Sequence, residues 1–239
     1  MKHTKRYLFC LSLSVAVFVA VFFSAVPAYS QVDFFYGKNT RGLRIGGGVG
    51  GAVLVTHYNT NPIQLVYLGN LDYDFNPYLS IGIQGEYGTL KGVDTNEPHH
   101  QYYTSSTNKY RAINLNVRAG VGLFYDFHPQ NFIQDALKRI YVGAGYGVMK
   151  DRITFTYDPT RAEYVYGQPH TYDYVRMVPF SFGTYIDVLN VLGYDRLEIN
   201  PNYQFTYMPS MYSDGYISNQ YSHLKGFYNM VSINLKYKF

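Results

Sequence analysis

The chain has 239 residues, of which 28 are tyrosine and 16 are phenylalanine, and its formal net charge is +4. Lys2, Lys5 and Arg6 lie at the very start, so the rest of the chain has 17 basic against 16 acidic residues, without the clustered positive charge that nucleic acid binding needs. The only cysteine is Cys10, so the later chain can form neither an intrachain disulfide nor a thiolate metal site.

The first element is a predicted signal peptide, residues 1–30. Its basic start is followed by a long apolar run and then by small residues at the spacing of a cleavage site, so we expect cleavage before Gln31. A membrane helix is the alternative, because about 20 apolar residues can span a bilayer. The strand pattern that follows favours the signal peptide. Its cleavage would leave residues 31–239, which we predict to form one β-barrel domain.

Eight segments with alternating apolar and polar residues follow. We predict strands at residues 42–57, 63–75, 78–90, 111–125, 140–155, 172–186, 197–207 and 227–239. Each is long enough for a tilted membrane crossing, which takes roughly 9–11 residues. The fifth is irregular, because its apolar parity shifts between Val148 and Ile153, and this predicts a bulge or an early exit from the membrane.

The last strand shows the alternation most clearly. Its apolar positions are Val231, Ile233, Leu235, Tyr237 and Phe239, and they alternate with Met230, Ser232, Asn234, Lys236 and Lys238. Only a helix or a closed sheet satisfies all backbone groups in lipid, and no later segment is long and apolar enough for a spanning helix. The pattern predicts an all-β fold, an eight-stranded antiparallel transmembrane barrel with its apolar face outside.

A soluble barrel of the lipocalin kind is the alternative, with its polar face outside. Against it, aromatic residues fall in two bands, one at each end of the strands, as expected at the two membrane–water boundaries. The connections also alternate in length, from the tight turn at Asn76 and Pro77 to the long loops 91–109, 158–171 and 209–225. Short turns of such barrels face the periplasm, so we expect both termini there. Within the connection 126–139, Phe132, Ile133, Ala136 and Leu137 predict one or two amphipathic helical turns.

On this pattern the chain resembles the small eight-stranded outer-membrane β-barrels, such as outer membrane protein X and the transmembrane domain of outer membrane protein A, within the porin-like barrels. The resemblance covers Gly42 to Phe239 and rests on the strand pattern and the terminal Lys-Tyr-Lys-Phe. It implies a protein of the Gram-negative outer membrane that contacts outer-membrane lipid. It also implies insertion by the barrel assembly machinery, with Tyr237 and Phe239 as the assembly signal.

Charged residues of both signs are predicted to face the lumen. This polar network consists of Arg44, Asp72, Asp74, Glu86, Arg118, Glu198, Lys236 and Lys238. Buried charges must be paired or hydrated, so we expect pairs between Arg44 and Asp72 or Asp74 and between Glu86 and Arg118. Glu198 is expected near Lys236. Such a network fills a narrow barrel, or it forms a path for protons or small ions. Inward glycines leave the choice open, because they create lumen volume or make room for large side chains.

Three groups of residues invite other functions. The glycine run 46–51 lacks the Lys-Ser/Thr and the helix of a phosphate loop. One loop carries Asp94, Glu97, His99 and His100, a possible transition-metal site, although a solvated loop is the expected interpretation. His170, Ser213, Asp214, Ser222 and His223 lie on predicted loops, where nothing fixes the geometry between a nucleophile and a base.

The sequence therefore favours a non-enzymatic protein without cofactor or metal. Its expected role is structural or in surface interactions through the Tyr-rich extracellular loops, with a ligand that the sequence does not identify. A small porin-like channel for ions or small solutes is the first alternative. An outer-membrane lipid hydrolase or acyltransferase is the second.

Overall fold

A computed structural model of the chain describes residues 42–55, 60–93, 103–125, 132–157, 173–188, 196–209 and 226–239. The predicted signal peptide, residues 1–30, lies outside the described residues, as do the loop residues 94–102, 158–172 and 210–225. None of the described helices is long and apolar enough to span a bilayer.

Strands dominate the described part of the chain. The elements are β1 Gly42–Val55, β2 Gln64–Asn76, β3 Leu79–Val93, β4 Tyr103–Gly120, a 3-10 turn Val121–Leu123, α1 Phe132–Lys138, β5 Tyr141–Tyr157, β6 Asp173–Gly183, β7 Ile186–Asp187, β8 Leu197–Met208 and β9 Gly226–Lys238. The largest difference from the predicted bounds is in β4, which begins at Tyr103 rather than at residue 111. Because β3 also continues to Val93, the loop predicted at 91–109 is largely strand. The predicted helical turns are present as α1.

The strands form one closed antiparallel sheet. Its order is β1-β2-β3-β4-β5-β6-β8-β9, and pairing of β9 with β1 closes the ring. Strand β6 pairs with β8, and the two-residue strand β7 continues the same position in the wall, because it also pairs with β8. The wall therefore has eight positions, which confirms the predicted eight-stranded antiparallel barrel.

The register sets the tilt of the strands. Paired residues lead once around the ring from Leu43 through Tyr73, Ile81, Val117, Ala144, Phe180, Phe205 and Asn229 to Val53. The path returns to β1 ten residues beyond its starting point. For eight strands with ordinary spacings, this stagger corresponds to a tilt of about 40°. A barrel of this size has an interior just wide enough for side chains to fill.

The two ends of the barrel differ in their connections. At one end, here called the turn end, β1 begins and β9 ends, and the links β2–β3, β4–β5 and β6–β8 return the chain. The opposite end, here called the loop end, carries the links β1–β2, β3–β4, β5–β6 and β8–β9. These two names specify positions along the barrel axis and do not assign a side of the membrane.

Side chains alternate strictly between the two faces of the wall. In β1, the side chain of Arg44 is 5% exposed, whereas that of its neighbour Ile45 is 50% exposed. In β9, Lys236 is 1% exposed and Leu235 is 50% exposed. Polar groups therefore lie inside and aliphatic groups outside, the reverse of a soluble barrel and the arrangement of a barrel in lipid.

The fifth strand is regular, and the predicted bulge is wrong. Strand β5 pairs with β4 without a shift of register between Val148 and Ile153. Ile153 is 4% exposed and faces the lumen, while Lys150 and Arg152 face outward. The apparent change of parity arises because the polarity of both faces changes toward the loop end, where the interior becomes apolar and the exterior basic.

Candidate functional site

The lumen is the candidate functional site, and its side chains form three layers along the barrel axis. An ionic layer at the turn end contains Arg44, Asp72, Asp74, Arg118, Glu198 and Lys236. An amide layer in the middle contains Asn70, Gln84, Asn114, Asn116, Asn200, Asn202, Gln204 and Asn234 together with Glu86. An apolar layer toward the loop end contains Leu54, Val66, Leu68, Leu90, Met149, Met177, Met208 and Met230 with Tyr110 and Tyr228.

The first ion cluster is centred on Arg44 of β1. Its Nη2 donates to Asp74 Oδ1 at 2.5 Å, and its Nη1 donates to Glu198 Oε2 at 2.8 Å. Asp74 comes from the neighbouring strand β2, whereas Glu198 comes from β8, two wall positions away on the other side. The expected pairing of Arg44 with Asp74 thus occurs, and the guanidinium is shared with a carboxylate that the sequence did not assign to it.

The second ion cluster is centred on Asp72. Arg118 Nη1 donates to Asp72 Oδ1 at 2.7 Å, and Lys236 Nζ donates to Asp72 Oδ2 at 2.6 Å. Both side chains of the Asp72–Lys236 pair are 0% exposed. The two cations come from β4 and β9, so one carboxylate links three strands and neutralises part of two positive charges inside the barrel.

Two stacked tyrosines lie between the ion clusters. The rings of Tyr141 and Tyr185 are 4.9 Å apart at an angle of 28°. The Arg44 guanidinium lies 4.2 Å from the centre of the Tyr185 ring, and the Lys236 ammonium lies 5.3 Å from it. Tyr185 lies in the gap between β6 and β7, where the strand is interrupted. At this break its ring contacts the cations Arg44 and Lys236. Such cation–π contacts stabilise buried cations.

Arg139 covers the ionic layer at the turn end. It follows α1 and donates through both Nη atoms to Asp187, at 2.6 and 2.8 Å. Its Nη1 also reaches Glu198 Oε1 at 3.4 Å, and its Nε lies 3.2 Å from Asp135 Oδ2. Burial by itself would lower the pKa of Arg139, but the hydrogen bonds to Asp187 and the neighbouring carboxylates outweigh it and raise the pKa above its ordinary value. The guanidinium of Arg139 is therefore cationic at physiological pH.

Glu86 in the amide layer is held by neutral groups. Its Oε1 accepts from Gln84 at 3.0 Å, Asn114 at 3.2 Å and Gln204 at 2.8 Å, and its Oε2 accepts from Tyr228 at 2.7 Å. Among the described residues no cation pairs with it, so the expected pair of Glu86 with Arg118 is wrong. The register explains the error, because Glu86 lies opposite Ala112 and Arg118 lies opposite Ser80. Six residues along β4 separate those two positions.

Glu198 and Lys236 face each other in the register of β8 and β9, as expected. Their charged groups nevertheless turn to other partners, Glu198 to Arg44 and Arg139 and Lys236 to Asp72. Lys238, the last residue of the predicted network, lies at the edge of the turn end and is half-buried, opposite Arg44. Tyr237 and Phe239, the predicted assembly signal, pack edge to face at 5.1 Å outside the wall, and their role in assembly remains a prediction.

Inward glycines receive the polar side chains of neighbouring strands. A Cβ added to Gly46 would lie 2.7 Å from Lys236 Cγ, and one added to Gly48 would lie 2.3 Å from Asn234 Oδ1. A Cβ on Gly82 would lie 1.9 Å from Asp72 Oδ1. The glycines therefore make room for the network and do not leave empty volume. The glycine run 46–51 forms part of β1, without the helix of a phosphate loop.

Sequence reasoning missed several members of the site. Arg139 and Asp187 were assigned to no lumen position, because they were predicted to lie in connections, which have no alternating pattern. Tyr141 and Tyr185 lie within the predicted strands 140–155 and 172–186, but the predicted network contains only charged residues. Most of the apolar layer was not predicted, because a polar interior was expected along the whole barrel. A signal was present, since Met149, Met177, Met208 and Met230 all occupy inward positions of their strands.

The remaining candidate sites are the groups that the sequence predicted to lie in loops. The possible metal ligands Asp94, Glu97, His99 and His100 lie outside the described residues, as do His170, Ser213, Asp214, Ser222 and His223. Within the described part of the chain, no group of three or more His, Cys, Asp or Glu side chains is placed to hold a metal ion. A turn-end pocket lined by Arg44, Asp74, Arg118 and Arg139 has a cavity volume of about 10 Å³, which is about the space of one water molecule and far below the usual range of ligand pockets.

Comparison with known proteins gives resemblances at the level of fold. No family model matches the sequence, and no curated protein matches it. Neisserial surface protein A is 12% identical, with a TM-score of 0.47 over 84% of this chain and 100% of that chain. The attachment invasion locus protein Ail of Yersinia pestis is 11% identical, with a TM-score of 0.42 over 83% and 99%. The outer membrane protein OprG of Pseudomonas aeruginosa is 10% identical, with a TM-score of 0.37 over 84% and 97%. Because these scores are below 0.5, the assignment as a barrel rests on the chain's own strand pairing.

Proposed function

We propose that this chain is a non-enzymatic integral barrel of the outer membrane with a closed lumen. Its role is structural or in surface interactions, through the Tyr-rich loops at the loop end. Both termini face the periplasm in this proposal, and the loop end faces the outside. The apolar exterior of the wall supports the membrane location, and the long connections at one end support the orientation.

A hydrogen bond that crosses the barrel carries the proposal of a closed lumen. Gln84 Nε2 donates to Gln204 Oε1 at 2.8 Å. Gln84 belongs to β3 and Gln204 to β8, and these strands stand opposite each other in the ring of eight. A direct bond between opposite walls crosses the lumen at that level and supports an interior without a continuous water-filled path. The ion clusters lie on one side of this bond and the apolar layer lies on the other.

A small porin-like channel is the second candidate, favoured by the charges of both signs in the ionic layer. Swelling of proteoliposomes in small sugars separates the two functions. The closed lumen predicts swelling no faster than in protein-free liposomes. Swelling that increases with the amount of protein and falls with sugar size would support the channel instead.

The orientation is tested with single cysteines, since the chain after Cys10 contains none. Thr60→Cys lies at the loop end and Tyr125→Cys at the turn end, and both positions are exposed. On intact cells a membrane-impermeant maleimide should label Thr60→Cys, and it should label Tyr125→Cys only after permeabilisation. The unsubstituted protein serves as the control, and the reverse labelling would overturn the orientation.

An outer-membrane lipid hydrolase or acyltransferase is the third candidate. It is tested by incubating the purified protein with outer-membrane lipids and analysing the products by mass spectrometry. The proposal predicts unchanged acyl chains. Protein-dependent release or transfer of an acyl chain that is lost on substituting Ser213 or Ser222 by alanine would establish an enzyme.

A further inference from the structure

A cluster of cations covers the outer face of the barrel toward the loop end. This basic patch consists of Lys109, Arg111, Lys150, Arg152 and Arg176, all exposed and outward-facing on β4, β5 and β6. Its position on the lipid-facing side of the wall distinguishes it from the lumen network. None of the lumen clusters contacts it, because the side chains of each strand alternate between the two faces.

Like charges face each other across the strands of the patch. Arg111 lies directly opposite Lys150, and Lys109 lies directly opposite Arg152, in the register of β4 and β5. Side chains at such positions are about 5 Å apart at Cβ, and like charges there destabilise a sheet. The pair of Arg111 and Lys150 is therefore unfavourable unless an anion lies close to it.

The protein supplies no such anion on the described outer face of these strands. The outward side chains that the structure describes on β3, β4, β5 and β6 include no aspartate or glutamate. Glu86 and Asp151, which belong to β3 and β5, face the lumen and are 4% and 2% exposed. The counter-charge for Arg111 and Lys150 must then come from outside the described wall.

The patch lies at the boundary of the apolar band. Below it toward the turn end, the outer faces of β4 and β5 carry Ile113, Leu115 and Val148, all exposed. At its level Arg111 lies 5.6 Å from the Tyr87 ring centre, and Lys150 lies 5.4 Å from the Tyr174 ring centre. Aromatic rings with long cationic side chains are typical of the membrane–water interface. The cations are thus at the height of lipid head groups.

The patch is confined to one side of the barrel. On β1, β2, β8 and β9 the described outward positions near the loop end are occupied by Val55, Leu65, Tyr207 and Phe227 and by other uncharged residues. Strands β4 and β5 are also longer, with 18 and 17 residues against 12 in β8. The longer side of the wall therefore extends furthest toward the loop end and carries the charge.

We propose that the basic patch binds the phosphate groups of anionic lipids in the leaflet around the loop end. Arginine forms bidentate hydrogen bonds to phosphate, and lysine adds a point charge. A phosphate held between Arg111 and Lys150 removes the repulsion between them, while the acyl chains of the same lipid lie along the aliphatic band below. The patch is then a lipid site and not a site for soluble anions.

The test measures the lipid preference of the full-length barrel in phosphatidylcholine bilayers. Spin-labelled phosphatidylglycerol and spin-labelled phosphatidylcholine report the fraction of each lipid immobilised at the protein surface. We expect the wild type to favour phosphatidylglycerol by at least about fivefold, the factor expected from a single cation near a lipid surface. Arg111→Gln combined with Lys150→Gln should lower the preference below about twofold, as should about 0.5 M salt.

Arg196→Gln is the matched control, because it removes an exposed cation at the turn end. It should retain most of the preference, and all variants should show the electrophoretic shift of a folded barrel. Unchanged preference in the double variant would overturn the proposal, as would an equal loss in Arg196→Gln. Loss of the preference in millimolar inorganic phosphate at constant ionic strength would show a site for soluble anions and would also overturn it.

Discussion

Asp72 is a buried carboxylate that binds two buried cations of the described lumen. Its two carboxylate oxygens bind cations from two other strands, Arg118 at 2.7 Å and Lys236 at 2.6 Å. Replacing a whole buried ion pair is often harmless, but removing one partner leaves an uncompensated buried charge. Asp72 neutralises two such cations, so its loss should cost more than the loss of a carboxylate that is bound only by neutral donors.

The first prediction compares Asp72 with Glu86. Asp72→Asn should destabilise the barrel by about 3–5 kcal/mol, because Arg118 and Lys236 lose their counter-charge. Glu86→Gln should cost less than about 1.5 kcal/mol, because the amide still accepts hydrogen bonds from its neutral neighbours. Reversible unfolding by urea in lipid measures both. Equal losses in the two variants would contradict the separate roles assigned to these carboxylates.

A second prediction concerns Gly82, which lies directly opposite Asp72 in the register of β2 and β3. In Gly82→Ala the new methyl group would lie 1.9 Å from Asp72 Oδ1 and 3.2 Å from the Leu71 carbonyl oxygen. Asp72 must then move away from its cations, so we expect a loss of about 2 kcal/mol or more in the same unfolding measurement. Gly69→Ala is the control, since nothing lies within 4 Å of its added Cβ. A neutral Gly82→Ala would show that the Asp72 cluster tolerates displacement.

The sequence predicted most of the charged strand residues that point inward, although it missed Asp151, and it did not predict most of their partners. Alternation is sufficient for the first question, because side chains change face at each residue of a strand. Partner choice depends on the register, and the ten-residue stagger around the ring brings Arg44 to Glu198 and Arg118 to Asp72 across strand boundaries. No local pattern in the sequence records that stagger.

At the scale of an element, β4 shows how one strand passes through three environments. Its outer face carries Leu115 and Ile113 in the aliphatic band, then Arg111 and Lys109 in the basic patch, and then Thr107. The inner face changes in the opposite sense, from Arg118 through Asn114 to Tyr110. The prediction of a bulge in β5 failed because it treated the change of polarity as a change of parity. The same inversion of polarity occurs on β4.

The third prediction locates the membrane along β4. Leu115→Arg should destabilise the barrel by about 2–4 kcal/mol, the cost of a cation near the middle of a bilayer. Thr107→Arg, eight residues further on the same outer face, should cost about 1 kcal/mol or less, because that position lies beyond the interface. Unfolding in lipid vesicles measures the difference. Similar costs at both positions would argue against a membrane boundary at the basic patch.

The fourth prediction concerns the end of β9. Deletion of Phe239, or Tyr237→Asp, should leave the protein degraded or in the periplasm, since the terminal aromatic residues are the proposed assembly signal. Phe227→Ala is the control, because it changes an outward aromatic residue at the other end of the same strand. Heat-modifiable barrel in the outer membrane is the readout. Normal amounts from both turn-end variants would refute the assembly role.

At the scale of the whole molecule, the fold was predictable because it depends on a repeated pattern. Eight alternating segments of membrane-crossing length determine strand number, and the absence of a spanning helix candidate after residue 30 favours a closed sheet. The proposed closure of the lumen was harder to predict from the sequence. It depends on Gln84 meeting Gln204 across the ring, and on Tyr185 and Arg139, which come from irregular connections.

Conductance in planar bilayers shows whether the lumen is closed, as proposed. The fifth prediction is that purified wild-type protein shows no stable open channel at neutral pH. Glu86→Gln combined with Arg118→Gln should change the stability of the barrel more than its permeability. The side chains around these two positions still occupy the interior in the double variant. Steady, ion-selective current steps from the wild type, shifted by Glu86→Gln or by Lys236→Gln alone, would contradict the closed lumen and establish a pore.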